Sequence, residues 1–355
     1  MRVERKHNQI TKGLTNRTRM WLALGIVPIF ILAACSGESG ATDTSGSVSE
    51  SSESSESSES VLVGYISMGE SDPFIKEVSD SIRAEVAKTG GVTLVECDAQ
   101  FLPEKALECA EVMKAQGVAS VINWQSDEAA SANICDAYGN LPTVAIDVPQ
   151  APCEKIFIGA DNYAAGIVGG EGLGNFVQKQ LDCQYDAYVS IDIPSIPSVN
   201  EPRAGGNKEG FENICGPMPD SKYFSIDAFQ GGPDQPENSR RQFTDILTAL
   251  PNAKNILVVA PAGDPMAVAV FNAGKAAGRE KDIWMSSQGA DGTTRPFIRE
   301  SSQWVGAVAY FPERYGELVL PAAIKLAKGE SVPTQDLMVH DFVTIDNIDS
   351  FYPNE

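Results

Sequence analysis

Hydrophobic and polar positions follow two alternating periods along most of the chain. Short apolar runs rich in β-branched residues, such as 61–68 and 255–262, are typical of buried strands. Between them, apolar residues recur at helical spacing, as in the segment where Phe74, Val78 and Ile82 fall four residues apart. The predicted strands are 61–68, 92–99, 119–124, 142–147, 155–161, 185–193, 222–229, 255–262, 282–287, 304–311 and 337–345.

Strands that alternate with helices predict a particular fold class. Near-continuous apolar strands belong to parallel sheets that are covered by helices on both faces, which is the doubly wound α/β arrangement. The predicted strands are too many for one small sheet, so two lobes of similar build are expected, with a first crossing near 161–162. Ligands of such sheets bind outside the carboxyl ends of the strands. Two facing lobes therefore predict one shared cleft.

The first sixty residues have a different composition. A basic leader precedes the apolar stretch 20–34, which is shorter than the roughly 20 residues that span a bilayer. The stretch ends in Leu-Ala-Ala before Cys35, which resembles a bacterial lipobox, so residues 1–35 are predicted to be a lipoprotein signal ending at a lipidated cysteine. A transmembrane anchor is the alternative. Residues 36–60 are rich in Ser and Glu and predict a solvated tether.

Seven cysteines are present, and six remain when Cys35 carries lipid. An even number in an oxidising compartment favours disulfides, although the spacing alone leaves the pairing open. Pairing between neighbours along the chain is expected. These pairs are Cys97 with Cys109, Cys135 with Cys153, and Cys183 with Cys215. No metal site is expected, because there is no CxxC pair and only two histidines.

Charge and motifs exclude several function classes. The net charge of −21 argues against nucleic-acid binding, which depends on Lys and Arg at phosphates. The chain has no P-loop and no GxGxxG after its first strand, so no cofactor is expected. Only His340 lies outside the leader, no GxSxG is present, and a structural role is the simplest interpretation of His340. The chain is therefore predicted not to be an enzyme, with a hydrolase as the less favoured alternative.

Seven segments resemble, in the correct order, the type I periplasmic solute-binding proteins that take ribose, galactose and related sugars. These segments are 61–78, 98–124, 141–149, 157–166, 200–213, 264–279 and 306–333. The resemblance extends over the chain from residue 61 to about residue 353. It implies two doubly wound parallel-sheet lobes joined by a three-strand hinge that closes on ligand.

The resemblance also implies domain boundaries. The N-terminal lobe should comprise 61–161 plus about 312–340, and the C-terminal lobe 162–311 plus about 341–355.

The same resemblance assigns ligand-binding residues to the cleft. These are Phe74, Trp124, Asp147, Arg203, Asp264, Gln288, Asp291 and Tyr310. A carboxylate at a strand end, as in Asp147, can accept two sugar hydroxyls, and the planar fork of Arg203 can span two adjacent ones. Core packing remains an alternative role for Phe74 and Trp124, and helix capping for Asp72 and Asp264. Val148 stands where many sugar binders carry Arg, which indicates a shifted specificity.

The predicted function is that of an extracytoplasmic lipoprotein that acts as a monomer and delivers a small polar solute to an ABC importer. A monosaccharide is the favoured ligand, and a nucleoside or an autoinducer-like furanose is an alternative. The expected partners are the transporter permease and, through the lipid, the membrane. A receptor subunit for chemotaxis or quorum sensing would share the fold. A transcriptional regulator is excluded, because the N-terminus holds no helix-turn-helix.

Overall fold

A computed structural model describes residues 60–353 of the chain. The predicted signal at 1–35 with its lipidated Cys35 lies outside the described residues, as does the predicted tether apart from its last residue. Within 60–353, every helix is too short or too polar to cross a membrane.

The described residues form twelve strands and ten α-helices. The strands are β1 (Val61–Ser67), β2 (Val92–Asp98), β3 (Ser120–Asn123), β4 (Thr143–Ile146), β5 (Glu154–Ala160), β6 (Ala187–Asp192), β7 (Tyr223–Asp227), β8 (Ile256–Ala260), β9 (Ile283–Gly289), β10 (Trp304–Ala309), β11 (Gln335–Met338) and β12 (Asp341–Val343). The helices are α1 (Pro73–Thr89), α2 (Pro103–Gln116), α3 (Ser131–Ala137), α4 (Asn162–Leu181), α5 (Pro197–Cys215), α6 (Gln235–Ala249), α7 (Asp264–Ala276), α8 (Arg295–Glu300), α9 (Tyr315–Ala327) and α10 (Ile348–Phe351).

Two six-stranded sheets organise this part of the chain. The first has the order β11-β5-β4-β3-β1-β2 with every pair parallel. The second has the order β12-β10-β9-β8-β6-β7 and is parallel except for β12. Strands β3, β4, β6, β8 and β10 are buried along their whole length, which explains their near-continuous apolar sequences. The predicted α/β fold with two parallel-sheet lobes is confirmed.

The chain passes between the two sheets three times. The crossings lie at Asp161, between β5 and α4, at 311–314, between β10 and α9, and at 339–340, between β11 and β12. The prediction of a single strand over 337–345 is therefore wrong, because β11 pairs with β5 and β12 with β10. No Gly or Pro marks the break at Val339 and His340, and apolar residues occur on both sides of it.

Six cysteines form three disulfides that each join neighbours along the chain. The pairs are Cys97–Cys109, Cys135–Cys153 and Cys183–Cys215. The first two lie in the lobe of the first sheet, where they tie α2 to β2 and α3 to the segment before β5. The third ties the end of α5 to the segment after α4.

Helices α4 and α5 pack with their backbones in close contact. A Cβ at Gly170 would lie 2.1 Å from the carbonyl oxygen of Asn207, and one at Gly210 would lie 2.4 Å from that of Ile167. The glycines of 169–174 therefore serve close packing. This contact fixes the rotation of α5.

Gly170→Ala should lower the free energy of unfolding by about 1–3 kcal/mol, because the added methyl group must push the two helices apart. Gly205→Ala on α5 is the matched control, since no atom lies within 4 Å of its added Cβ. That control should raise stability by up to about 1 kcal/mol through helix propensity. Urea unfolding measures both changes. Equal effects of the two variants would contradict the packing argument.

Candidate functional site

A cavity of about 90 Å³ lies between the carboxyl ends of the two sheets. One buried water occupies roughly 10–15 Å³ on this scale, so the space admits a small molecule. Its walls come from both lobes. The first lobe contributes Met68, Asp72, Phe74, Ile75, Phe101, Trp124, Asp147 and Val148. The second contributes Ile193, Ile196, Val199, Arg203, Phe229, Gln235, Ala262, Gly263, Asp264, Pro265, Met266, Gln288, Gly289 and Tyr310.

Asp147 directly follows β4 and points into the hinge region. Its backbone has a φ of 53°, a left-handed conformation that aspartate tolerates better than most residues. Its Oδ1 accepts the N–H of Ala160 at 3.0 Å, and the hydroxyl of Tyr315 donates to both carboxylate oxygens at 3.0 and 3.1 Å. Burial raises the pKa of Asp147, while the positive charge of Arg203 opposes that shift. The carboxylate is thus held rigidly before any ligand contact.

Arg203 faces the cavity from α5 and is only 8% exposed. Its Nε donates to Oδ1 of Asn162 at 2.7 Å, and its Nη1 donates to the carbonyl oxygen of Pro261 at 3.3 Å. The guanidinium also lies 4.8 Å from the ring centroid of Tyr310, within cation–π range. These three contacts orient the fork toward the cavity.

Three aromatic rings, those of Phe74, Trp124 and Tyr310, line one wall, and the ring of Tyr315 packs against Phe74 and Trp124 outside the lining. Phe74 packs edge-on against Trp124, Tyr310 and Tyr315, with each pair of centroids 6.2 Å apart. Trp124 and Tyr315 are nearly parallel at 6.3 Å. The indole N–H of Trp124 is buried without a hydrogen-bond partner. A buried donor without a partner beside a cavity is suited to a ligand oxygen.

Gln288 and Tyr310 form a polar pair at the ends of neighbouring strands. The Tyr310 hydroxyl donates to Oε1 of Gln288 at 2.8 Å, and Nε2 of Gln288 is buried without a partner. The cavity is therefore lined at this end by groups that can both donate and accept hydrogen bonds.

Asp264 and Asp291 are joined by a hydrogen bond, but only Asp264 lines the cavity. Asp264 lines the cavity, and its Oδ2 accepts from the backbone N–H of Asp291 at 2.7 Å and from the hydroxyl of Thr294 at 3.0 Å. Asp291 lies outside the cavity lining, with its Oδ1 bonded to the N–H and hydroxyl of Thr293. Burial raises the pKa of both carboxyls, and the charge of Asp291 raises that of Asp264 further. Asp291 thus contacts Asp264 through its backbone N–H and lies behind the cavity wall.

Asp72 caps α1 and also lines the cavity. Its Oδ1 accepts the N–H of Ile75 at 3.1 Å. Burial raises its pKa to about 6, and the negative charge of Asp291 adds to the increase. The capping role foreseen for Asp72 is therefore present together with a position in the wall.

Apart from Phe74 and Trp124, the apolar residues of the lining were not predicted from the sequence. Ile196, Val199 and Arg203 follow one another at spacings of three and four residues, so they share one face of α5. This spacing could have identified Ile196 and Val199 from the sequence. Phe101 and Phe229 meet across the lobes with centroids 6.4 Å apart. Both follow strand ends in loops, where no periodic pattern marks them.

Two sets of hydrogen bonds join the lobes outside the cavity. Oε1 of Glu128 accepts from the backbone N–H of Ser198 at 3.2 Å and also from its hydroxyl. Glu77 accepts the N–H of Gly292 at 2.7 Å and an Nη2 proton of Arg295 at 3.1 Å. The described arrangement is therefore a closed one.

His340 lies at the third crossing. Its Nδ1 is 3.2 Å from the carbonyl oxygen of Ala309, its ring lies 4.7 Å from that of Tyr310, and burial lowers its pKa. Residues 60–353 contain no group of three or more His, Cys, Asp or Glu arranged to hold a metal ion.

A family model described as a periplasmic binding protein domain matches residues 63–331, which is well over half of the chain. No curated protein matches the chain at a significant level.

Several solved structures share this fold. An ABC transporter solute binding protein from Bacillus halodurans C-125 with bound myo-inositol has a TM-score of 0.69 and 18% identity, over 83% of this chain and 98% of its own. A carbohydrate transporter solute binding protein from Agrobacterium radiobacter in complex with D-arabinose has a TM-score of 0.69 and 19% identity, over 82% and 97%. The fructose binding periplasmic domain of a hybrid two component system has a TM-score of 0.68 and 19% identity, over 82% and 92%. At these identities the similarity concerns the fold.

The substitution Asp72→Asn should change the free energy of unfolding more favourably at pH 7 than at pH 4. An unfolded aspartate titrates near pH 3.9, whereas folded Asp72 has a pKa of about 6. The folded state therefore holds more protons in this window, and wild-type stability falls as pH rises from about 4 to 6. Asparagine keeps the helix cap and removes the titration.

Urea unfolding at both pH values should show a relative gain of about 1–2 kcal/mol for the variant at pH 7. Asp234→Asn, at the exposed cap of α6, is the matched control and reports the effect of the same substitution at a helix cap outside the cavity. A pH-independent effect of Asp72→Asn would show that Asp72 is well solvated.

Proposed function

The chain belongs to the periplasmic binding protein domain family, a family of solute-binding proteins rather than enzymes, and from that premise we propose that it captures a small hydroxylated solute in the cleft between its lobes. The favoured class is a monosaccharide or related polyol. The bound structures with similar folds support this class, since their ligands are myo-inositol and D-arabinose.

One observation carries the proposal: Asp147 of the first lobe and Arg203 of the second line the same cavity. An acceptor and a forked donor on opposite lobes suit a ligand whose hydroxyls both donate and accept. Each lobe alone supplies half of these groups, so binding and closure should be coupled.

We assign ligand contacts to the predicted residues that line the cavity. These are Phe74, Trp124, Asp147, Arg203, Asp264, Gln288 and Tyr310. Asp291 is assigned a supporting role through its N–H bond to Asp264. We further propose that Cys35 carries a lipid anchor on the outer side of the membrane and that the monomeric, closed form delivers its solute to an ABC permease.

Sensing is the second candidate. The fructose binding domain of similar fold belongs to a two component system, so the fold serves signalling as well as transport. The lipobox-like end of the leader favours an anchored transport protein over a domain of a larger receptor.

A thermal-shift screen of the purified chain against pentoses, hexoses, polyols, nucleosides and amino acids tests the ligand class. A ligand at 100 times its Kd stabilises by about 2.7 kcal/mol, which should raise the Tm by several degrees. A shift with nucleosides or amino acids alone would overturn the proposed class. If no class of compound shifts the Tm of folded and ligand-free protein, the binding function would be overturned.

Arg203→Met should weaken binding of the identified ligand by about 10- to 100-fold, because hydrogen bonds to a charged group are lost while the apolar stem is kept. Lys208→Met is the matched control on the same helix, where Lys208 pairs with Glu212 at the surface. Isothermal titration calorimetry measures both. Equal affinities of the two variants would remove Arg203 from the site.

A further inference from the structure

The cavity-facing side of α5 changes from apolar to cationic along its length. Ile196 and Val199 lie near the helix start, and Arg203 lies one turn further on the same face. Val199 and Arg203 lie four residues apart within the helix, which corresponds to roughly 6 Å along the helix axis, and Ile196 is the N-cap residue before it. That distance is comparable with the length of a monosaccharide, so one ligand would contact both parts of the face.

The polar groups of the cavity are concentrated around Arg203. Its guanidinium lies 4.8 Å from the ring centroid of Tyr310, whose hydroxyl bonds to Gln288. The carboxylate of Asp147 is close enough for the charge of Arg203 to oppose the rise of its pKa. These four residues form a polar end with donors and acceptors for several hydroxyls.

A second part of the lining is apolar. Ile196 and Val199 are at most 4% exposed, and the facing rings of Phe101 and Phe229 line the same cavity. Met266 completes this wall from α7. We call these five residues the apolar end.

Two polar side chains also lie near the apolar end. Asp72 and Gln235 line the cavity, but both also line a second groove outside it, together with Phe101 and Met266. One oxygen of Asp72 is already engaged by its helix cap. Asp72 and the buried Gln235 are therefore the polar side chains near this end, and its five apolar side chains offer no hydrogen bonds to a hydroxyl.

A uniformly hydroxylated sugar fits this division poorly. Its hydroxyls at the apolar end would lose water without gaining partners, which is unfavourable for every group left unsatisfied. Resting on the proposed function, we infer that the natural ligand is a sugar with an apolar substituent: hydroxyls face Arg203 and Asp147, and a deoxy methyl or alkyl group contacts Val199 and the rings of Phe101 and Phe229.

Matched sugar pairs test this inference by calorimetry on the full chain. The pairs are D-galactose with D-fucose, L-mannose with L-rhamnose, D-glucose with 6-deoxy-D-glucose, and each hexose with its methyl glycoside. In the pair that binds most tightly, the apolar member should bind at least about fivefold more tightly, because a buried methyl group gains and an unsatisfied hydroxyl loses.

Val199→Thr reverses the polarity of the wall at nearly constant shape. The variant should lower the preference for the apolar member by about threefold or more, since the new hydroxyl can bond to the sugar hydroxyl that the wild type leaves unsatisfied. Val112→Thr makes the same change at an exposed position of α2 and should leave the preference unchanged. The preference is a ratio measured on one folded protein, so a general loss of stability does not alter it.

The outcomes separate the inference from the proposed function. Hexoses that bind as tightly as their deoxy and methyl partners would overturn the inference and keep the sugar-binding function. A preference that Val199→Thr leaves unchanged would also overturn it, because the apolar end would not be its source. Failure of every sugar and every polyol to bind would overturn both.

Discussion

The buried carboxylate of Asp147 is the interaction on which the geometry of the hinge and the cleft depends. It accepts the N–H of Ala160, the last residue before the first crossing, and the hydroxyl of Tyr315, the first residue of the helix after the second crossing. His340 then connects the third crossing to the second through the carbonyl oxygen of Ala309. Three crossings that are separate in sequence are thus bonded together beside the cavity.

The fold was predictable because its signals are local and repeated. Buried parallel strands are predominantly apolar, and β3, β4, β6, β8 and β10 are buried along their whole length. The split of 337–345 between two sheets was not predictable in this way, because Leu337, Val339 and Ile345 prolong the apolar run although their side chains are exposed. The family resemblance assigned Asp147 and Arg203 to the cleft; both line the same cavity, and their contact with a ligand stays a prediction.

Other parts of the site depend on tertiary geometry that the sequence does not display. Asp291 follows a strand end, yet the left-handed backbone of Ala290, with a φ of 53°, lies in the turn that places its carboxylate behind Asp264. Phe101 and Phe229 belong to different lobes and meet only because the lobes close. A position after a strand end predicts the edge of the sheet at which a residue lies. The conformation of the following turn determines the direction of its side chain.

The turn after β9 links the cavity to the closed arrangement of the lobes. On one side the N–H of Asp291 bonds to Asp264 in the cavity wall, and on the other the N–H of Gly292 bonds to Glu77 of the first lobe. Neighbouring residues of one short turn therefore carry both contacts. A ligand that moves Asp264 also moves the turn after β9, which is hydrogen-bonded to Glu77. Solute binding and closure of the lobes therefore both depend on this turn. Ligand affinity in such an arrangement also depends on the strength of the hydrogen bond between Glu77 and Gly292, which the solute does not contact.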